Sequence, residues 1–186
     1  MEVYTVSHKI DGAREQLIAE SKKILVEEGF EGLNIRTLVQ RCGIATGTFY
    51  NNFSCKEELT VEILKAEWEV ILVSIDTVSA IPIPFKNKLK KIYASVYEFF
   101  HNYKNIFLEM LVKSASGQNS NFEIKQTFCR KISRLLESEI ANGMLPTKLD
   151  SDKLSYIILQ NFIFMSKEDY ITFEDFYQLL NPGQQK

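Results

Sequence analysis

The chain has 186 residues, of which 45% are apolar and 12% aromatic, so it is long and apolar enough to build one or two compact units with a buried core. Its 22 Lys and Arg residues are balanced by 24 Asp and Glu residues, and the net charge of −2 gives no global signature of nucleic-acid binding. Three cysteines without paired spacing, and an N-terminus without the pattern of a secretory signal, predict a cytoplasmic protein. The longest apolar run, from Tyr156 to Met165, is interrupted by polar residues and is too short to cross a bilayer.

The first predicted elements are three helices. A helix over about 11–28 ends at Gly29. The segment 34–59 then has the pattern of two short helices separated by a glycine turn. Asn34 is a good N-cap for the first of them, and Gly43 adopts positive φ readily where that helix must end. This arrangement predicts a helix-turn-helix.

The second helix of this pair is unusually polar. Phe49 is its one strongly apolar interior position, and hydrogen-bonding side chains occupy Thr46, Thr48, Tyr50, Asn51 and Asn52. A helix packed on several sides would not tolerate so many polar groups, so one face must meet a polar partner. Thr, Tyr and Asn side chains reach base edges and phosphate oxygens when such a helix lies in the major groove of DNA.

The local charge favours contact with a phosphate backbone. Between Gly32 and Lys56 there is no Asp or Glu, whereas Arg36, Arg41 and Lys56 are present. This surface would therefore approach a polyanion without repulsion, although the whole chain is slightly acidic.

Three runs of residues resemble a known family in their order and spacing. They are Phe30 to Leu33, Cys42 to Phe53 and Lys56 to Leu59. The second run contains Gly-Thr-Phe-Tyr followed three residues later by Phe, and the third is Lys-Glu-Glu-Leu at the opening of the next helix. Together they resemble the DNA-binding domain of TetR/AcrR-type transcriptional regulators, over roughly the first third of the chain.

The resemblance implies a set of DNA contacts. It places phosphate or groove contacts at Arg36 and Thr37, and phosphate contacts at Thr48, Tyr50 and Lys56. It places base contacts at Thr46, Gly47 and Asn52. We add the polar neighbour Asn51 to the expected DNA contacts. Two departures from the family pattern occur. Ala45 stands where the family often has a capping Ser, and Asn52 replaces the more frequent aromatic residue or His, so no relative supplies the operator sequence.

The rest of the chain has the pattern of further helices punctuated by Gly and Pro. Ser54 with Glu57 forms a capping box that opens a long fourth helix, which ends near Ser79 and has two apolar stripes. Later helices are predicted at about 84–103, 104–114, from Ser120 to Asn142, 151–166 and 173–180. A loop is predicted over 116–121, and Ser120 with Glu123 forms a capping box that opens the helix after it. Thr172 is the predicted cap of the last helix. The predicted fold is all-α with about nine helices.

The resemblance implies two domains joined by the long fourth helix. Residues 1–54 form the three-helix helix-turn-helix DNA-binding domain, and residues 55–186 form a helical domain for effector binding and dimerisation.

The second of these domains is rich in large aromatic side chains. Such a stripe is more often ordinary core than pocket, and the residues alone leave both interpretations open. The resemblance implies an inducer cavity enclosed by the fourth to eighth helices. Because no charged cluster lies on an inner face of these helices, we expect a small apolar or amphipathic effector. The candidate lining residues are Trp68, Tyr93, Phe99, Phe100, Tyr103, Phe107, Met110 and Phe128.

The eighth predicted helix is apolar on nearly every side, more than a helix near the end of a chain buries alone. We expect a homodimer in which this helix and the last one pair with their copies across a two-fold axis. The expected interface residues are Ile158, Phe162, Met165, Phe173, Phe176, Tyr177 and Leu180. Such symmetry places two recognition helices about one turn of DNA or a multiple apart, so the double-stranded operator should be an inverted repeat.

Enzymatic and metal-binding functions find no support in the sequence. His8 and His101 are far apart, no nucleophile motif or glycine-rich phosphate loop occurs, and no closely spaced Cys or His pair indicates a metal site. We expect no catalytic residue, no metal and no cofactor.

The expected function is that of a homodimeric repressor released from its operator by a small molecule, although repression and activation are not separable on this sequence. One alternative is a redox-responsive regulator, in which Cys55, at a helix N-terminus beside Lys56, has a lowered pKa and abolishes DNA affinity when oxidised. A second alternative is a helical interaction module that never touches DNA.

Overall fold

The computed structural model describes residues 5–113, 118–168 and 170–180, and every regular element in these ranges is an α-helix. The predicted all-α class is therefore confirmed. Side-chain surroundings are described for residues 12–103, 105–106, 125–168 and 170–180. In chain order the helices are α1 (Thr5–Gly32), α2 (Ile35–Arg41), α3 (Thr46–Tyr50), α4 (Lys56–Ala80), α5 (Phe85–Lys113), α6 (Gln118–Ala141), α7 (Ser151–Met165) and α8 (Phe173–Leu180).

The described ranges hold eight helices, because the fifth and sixth predicted helices are one continuous helix, α5. Buried residues recur at helical spacing across the predicted break, at Val96, Phe99, Tyr103 and Ile106. No Gly or Pro interrupts this stretch. A helix continues where its apolar period continues and every backbone N–H retains a partner. The predicted break after Tyr103 was therefore wrong.

The cap of α4 also differs from the predicted capping box. The Glu58 carboxylate, not that of Glu57, accepts hydrogen bonds from the Ser54 hydroxyl at 2.5 Å and the Ser54 backbone N–H at 2.7 Å. Cys55 occupies the capping position, and the carboxylate three residues after it is Glu58. These two hydrogen bonds, chiefly the one from the hydroxyl, hold the pKa of Glu58 below its usual value.

The caps predicted for two later helices have opposite outcomes. α6 begins at Gln118, so residues 118–121 are helical and Ser120 is not the N-cap that its spacing from Glu123 predicted. Thr172 does cap α8. Its hydroxyl accepts a hydrogen bond from the Asp175 N–H at 3.2 Å, and the Asp175 carboxylate accepts one from the Thr172 N–H at 3.0 Å.

The chain divides into two compact units. Unit 1 comprises Met1–Ala66 and Tyr103–Ser114, and unit 2 comprises Glu67–Asn102 and Ala115–Lys186. In unit 1, helices α1, α2 and α3 pack against one another around the fully buried Leu38 and Phe49. The functional boundary predicted after residue 54 stays a prediction.

The end of α2 forms the turn that the sequence predicts. Gly43 has a φ of 65°, and its N–H returns to the Gln40 carbonyl at 3.1 Å. The N–H of Ile44 reaches the Val39 carbonyl at 3.0 Å. In this Schellman arrangement a left-handed residue, usually Gly, allows two otherwise free carbonyls to be satisfied.

The start of α2 is capped, whereas the start of α3 is not. The Asn34 side-chain oxygen accepts hydrogen bonds from the N–H groups of Arg36 at 2.9 Å and Thr37 at 3.3 Å. Ala45 precedes α3 in an extended conformation (φ −76°, ψ 149°) and offers no acceptor. The polar helix α3 therefore lacks the cap that its neighbour has.

Removing the cap of α2 and adding a cap to α3 should shift the free energy of unfolding in opposite directions. Asn34→Ala should lower it by about 1 kcal/mol, and Ala45→Ser should raise it by about 1 kcal/mol, because the serine hydroxyl would accept a hydrogen bond from the first turn of α3. Urea denaturation at an unchanged m-value measures both effects. Ala45→Val is the control, since it adds side-chain volume without an acceptor. Equal stability of the Ser and Val variants would contradict the capping argument.

The core of unit 2 contains one side of α7 and one side of α8. Phe162 is fully buried, and its ring centroid lies 5.1 Å from that of Tyr93 and 5.7 Å from that of Phe176. The Tyr93 hydroxyl donates a hydrogen bond to the Met165 carbonyl at 3.5 Å. Aromatic contacts between α5, α7 and α8 therefore hold this part of unit 2 together.

Candidate functional site

The nine residues predicted to meet DNA lie on α2, on α3 and the turn that follows it, and at the start of α4. We call this set the reading surface. Its exposed members are Arg36, Thr37, Thr46, Gly47, Tyr50 and Asn51, and its half-buried members are Thr48, Asn52 and Lys56. Between α2 and α3 lies a cleft of about 510 Å³, whose walls include Arg36, Thr46, Tyr50 and Lys56. The structure thus brings four of the nine residues, from three helices, to one concave surface.

Phe49 attaches the reading surface to the core of unit 1. Its side chain is fully buried, and its ring meets Tyr50 edge-on at 5.3 Å and Phe53 at 5.9 Å between centroids. Burying this one side of α3 turns the opposite side outward and leaves Tyr50 56% exposed. Edge-on aromatic pairs add about 0.5–1.5 kcal/mol beyond area burial, so Phe49 also holds the Tyr50 ring in place.

Lys56 is positioned before any partner binds. Its ammonium donates a hydrogen bond to the Phe30 carbonyl at 3.2 Å and lies 4.1 Å from the centroid of the Phe30 ring. A lysine ammonium has three donors and one of them is used here. The charge is therefore fixed at the wall of the cleft, with donors left for an anion.

Asn52 is also partly committed within the protein. Its side-chain amide N–H donates to the Thr48 carbonyl at 2.8 Å, one turn earlier in the chain. The remaining groups of the amide are one N–H and an oxygen with acceptor capacity. An acceptor oxygen pairs with the exocyclic amines that cytosine and adenine present in the major groove.

Three basic residues lie in the stretch from Gly32 to Lys56, and the charge of one of them is neutralised by carboxylates of α1. The Arg41 guanidinium pairs with Glu28 at 3.1 Å and with Glu20 at 3.6 Å, both on α1. The Arg36 guanidinium, in contrast, has no carboxylate partner within the part of the chain that the structure describes. The local positive charge is thus smaller than the sequence indicated, and Arg36 and Lys56 supply it.

One brace of unit 1 was not predicted from the sequence. The Arg14 guanidinium pairs with Glu62 at 2.6 Å and lies 5.1 Å from the centroid of the Phe53 ring. It connects α1 to α4 beside the ring that follows α3. The two charged residues are 48 positions apart, and no local pattern signals a pair at such a separation.

The cysteines bear on the redox alternative. Burial raises the pKa of the Cys42 thiol, and burial likewise raises the pKa of Cys129. Raised pKa values favour the unreactive thiol over the thiolate. Cys55 is half-buried, with its sulfur 3.9 Å from the Ser54 hydroxyl oxygen. The proposal that Cys55 is a redox sensor stays a prediction.

Comparison with known proteins identifies the family. Residues 17–63 match the family model of bacterial regulatory proteins of the tetR family, a range that contains the whole reading surface. An uncharacterized HTH-type transcriptional regulator of Bacillus subtilis (strain 168), YerO, is 30% identical over 120 residues. Residues 17–63 therefore belong to the TetR family. The alignment with YerO covers 62% of this chain and 40% of the length of that relative.

Several solved structures, transcriptional regulators among them, share the fold. A transcriptional regulator (TerR/AcrR family) from Aquifex aeolicus VF5 has a TM-score of 0.65 at 24% identity, over 92% of this chain and 97% of that one. GusR of Salmonella enterica has a TM-score of 0.70 at 16% identity, over 84% and 83%. FadR of Bacillus subtilis, in complex with stearoyl-CoA, has a TM-score of 0.69 at 16% identity, over 90% and 97%. At these identities the likeness shows the fold alone.

Four of the eight effector candidates form one aromatic cluster. The Trp68 ring lies 5.1 Å from Phe99, 6.2 Å from Phe100 and 6.0 Å from Phe128 between centroids. All four side chains are buried, in unit 2. We call this set the Trp68 cluster. The structure therefore joins residues that the sequence placed on three different helices.

Of the other four effector candidates, Tyr93 makes a separate set of aromatic contacts. Tyr93 packs on Phe162 and stacks on Phe173 at 5.6 Å, so it belongs to the contacts of α5 with α7 and α8. Tyr103 is buried and grouped with unit 1. The side chains of Phe107 and Met110 fall outside those that the structure describes.

The predicted dimer residues lie mostly inside their own chain. Leu180 is half-buried, and the buried ones are Ile158, Phe162, Met165, Phe173, Phe176 and Tyr177. The exposed apolar side chains of α7 are instead Tyr156, Ile157 and Phe164, at 56%, 40% and 46% exposure. α7 is thus apolar on two sides, as the sequence predicts, but its open side carries different residues. We call these three residues the α7 outer face.

Two further clefts in unit 2 have charged walls. They measure about 680 and 410 Å³ and share Lys88, whose ammonium pairs with the buried Glu139 at 3.0 Å. No helix in the described part of the chain is long and apolar enough to cross a membrane. Within the same residues, no three His, Cys, Asp or Glu side chains are grouped closely enough to hold a metal ion.

Proposed function

We propose that this protein is a DNA-binding transcriptional repressor of the TetR family that occupies an inverted-repeat operator as a homodimer and leaves it when a small apolar or amphipathic effector binds. The observation that carries the proposal is the reading surface. It presents nine polar or small residues on adjoining helices and contains no carboxylate. A surface with hydrogen-bonding groups and without acidic groups suits the major groove and its flanking phosphates.

Each part of the reading surface has a proposed role. Phosphate contacts come from Lys56, Tyr50 and Thr48, and the fixed position of the Lys56 ammonium favours this assignment because little side-chain entropy remains to be lost on binding. Base contacts come from Thr46, Gly47 and Asn52. Contacts to the backbone or groove edge come from Arg36, Thr37 and Asn51.

The homodimer forms through α7 and α8. Three large apolar side chains of the α7 outer face are exposed along about two turns of helix. Large apolar side chains that are exposed together on one helix are typical of a contact surface, whereas single scattered ones are not. A second copy of the same stripe is its natural complement, since a two-fold axis pairs identical surfaces.

The effector binds among the aromatic side chains of unit 2. Support comes from the Trp68 cluster, which offers a large apolar surface assembled from α4, α5 and α6. FadR of Bacillus subtilis, which shares the fold, binds stearoyl-CoA. A long apolar chain is therefore the starting point for an effector search.

Selection of bound duplexes from a random pool tests the function. We expect an inverted repeat to be enriched, with half-sites separated by one helical turn or a multiple. A screen of apolar and amphipathic molecules for release of the enriched duplex follows. Failure to enrich any sequence would instead favour a helical module that does not bind DNA.

Two substitutions in the reading surface should weaken DNA binding in different ways. Lys56→Ala should weaken specific and random DNA alike and lower the salt slope by about one unit per half-site, because a phosphate contact carries no base information. Thr46→Ala should cost about 1–3 kcal/mol on the preferred operator and relax the preference at one position of each half-site. Fluorescence anisotropy with operator and random duplexes across a salt series measures both.

Lys65→Ala is the matched control for the lysine variant, since Lys65 is an exposed lysine further along α4. It should change neither affinity nor salt slope. Asn52→Ala offers a second readout of base recognition. If Thr46 and Asn52 variants lost affinity uniformly across sequences, both residues would be removed from the base-reading set.

A further inference from the structure

One buried polar atom of unit 2 has no hydrogen-bond partner. The indole nitrogen of Trp68, Nε1, carries an N–H that is shielded from solvent and donates to no atom within the part of the chain that the structure describes. The whole side chain is only 4% exposed. Buried donors are almost always satisfied, because a donor that is removed from water without a partner destabilises the folded state. Trp68 is therefore a site where the fold retains an unfavourable arrangement.

The neighbouring rings do not supply the missing acceptor. Trp68 packs against Phe99, Phe100 and Phe128, none of which has a side-chain polar atom. A buried water is a poor substitute, because a water needs two to four polar partners of its own. An acceptor attached to an apolar molecule avoids that difficulty, since its carbon skeleton can occupy the aromatic surroundings.

We propose that Trp68 is a ligand-binding residue whose indole N–H donates a hydrogen bond to a neutral oxygen of the effector. This inference rests on the proposed function and specifies its ligand class. The effector is an apolar molecule with an uncharged acceptor such as an ester, ketone or ether oxygen. A carboxylate is disfavoured, because the ring contacts of Trp68 provide no cation to offset burial of a negative charge.

The unsatisfied donor also provides selectivity. A ligand without an acceptor leaves the Trp68 N–H as it is in the free protein, so it gains only apolar burial. A ligand with a correctly placed oxygen gains that burial and also removes the cost of the unpaired donor. Sites built around a buried polar group discriminate strongly against analogues that fail to pair with it.

The test removes the N–H while retaining the shape of the side chain. Trp68→β-(3-benzothienyl)alanine replaces the indole nitrogen by sulfur, and the probes are methyl octanoate, decane of equal chain length, and octanoate. Methyl octanoate should bind the variant about tenfold more weakly than the wild type, whereas decane should bind both proteins equally. Octanoate should bind the wild type more weakly than its methyl ester. Isothermal calorimetry measures the affinities.

Two further readouts are independent of these affinities. Trp68 is the only tryptophan, so the wild type has a single indole N–H resonance, which should move downfield with methyl octanoate and stay in place with decane. The ligand-free variant should melt at the same temperature as the wild type or higher, because an unsatisfied donor has been removed. A lower melting temperature would show that the N–H already has a partner and would overturn the assignment.

The remaining outcomes of the binding experiment also test the proposal. Equal loss of methyl octanoate and decane affinity would show that only ring shape matters. Unchanged affinity for methyl octanoate in the variant, or no binding of any probe to the wild type, would overturn the assignment of Trp68 as a donor to the effector. The proposed function fails on a separate measurement, the absence of any enriched duplex, so the two failures are distinguishable.

Discussion

Phe164→Glu should convert the dimer into monomers and abolish tight operator binding. Phe164 is 46% exposed on the α7 outer face, and in the proposed dimer its ring meets the same stripe on the second copy. Removing a central aromatic residue of an interface costs about 2 kcal/mol or more, so the dimer dissociation constant should rise by roughly 30-fold or more. A buried, unpaired carboxylate adds to this cost. Sedimentation velocity and operator binding measure the two consequences.

The chain provides controls for this substitution. Ile157→Glu lies on the same outer face and should behave in the same way. Val70→Glu adds the same charge at an exposed apolar position of α4 and should leave the dimer intact. Phe162 is unsuitable, since its ring is fully buried within its own chain and its loss would damage the fold. A wild-type protein that is monomeric at micromolar concentration yet binds an inverted repeat tightly would contradict the proposed interface.

The two phenylalanines of α7 show what the sequence could and could not predict. Nine of the fifteen residues of α7 are large and apolar, counting Tyr156, so the sequence correctly predicts a helix that is apolar on two sides. The period of a helix fixes which residues share a side, so Ile158 groups with Phe162 and Ile157 with Phe164. It does not say which side meets the chain's own core. That choice depends on α5, α6 and α8, whose approach no local pattern encodes.

The helix-turn-helix was predictable because its signals are local. Asn34 caps α2 through N–H groups two and three residues away, and Gly43 closes the turn through a hydrogen bond to a carbonyl three residues earlier. Such contacts depend on residue type and spacing alone. The contact of Lys56 with Phe30 spans 26 residues and the Arg14 pair with Glu62 spans 48, so neither could be predicted.

The aromatic residues of unit 2 were only partly predictable for the same reason. Their types indicated either core or pocket, and the structure separates them into the Trp68 cluster and the contacts of Tyr93 with α7 and α8. The unpaired N–H of Trp68 is a property of packing and has no sequence signature. Residue type shows that a donor exists, and only three-dimensional neighbours show whether it is satisfied.

An effector that releases the protein from its operator should change the fluorescence of Trp68. The indole is the only tryptophan, and it is enclosed by Phe99, Phe100 and Phe128. A ligand that enters this cluster must separate some of these rings, which alters the polarity and quenching around the indole. Titration of the free protein with an operator-releasing compound, followed by tryptophan emission, measures the affinity. An effective releasing compound that leaves the emission unchanged would place the effector elsewhere.

Release further requires that the effector bind the operator-bound protein more weakly than the free protein. The helix α4 carries both Lys56 and Trp68, so we expect effector binding to alter the position of Lys56 on DNA. Allosteric coupling of this kind typically changes affinity by about 5–150-fold, and by reciprocity the operator affinity should fall by the same factor. The same effector titration at saturating operator measures this change in affinity.

Thr46→Ala serves as the control, because it should bind effector as tightly as the wild type while its operator affinity is lower from the start. Equal effector affinity in free and operator-bound protein would contradict the mechanism, since a ligand that does not distinguish two states shifts nothing between them.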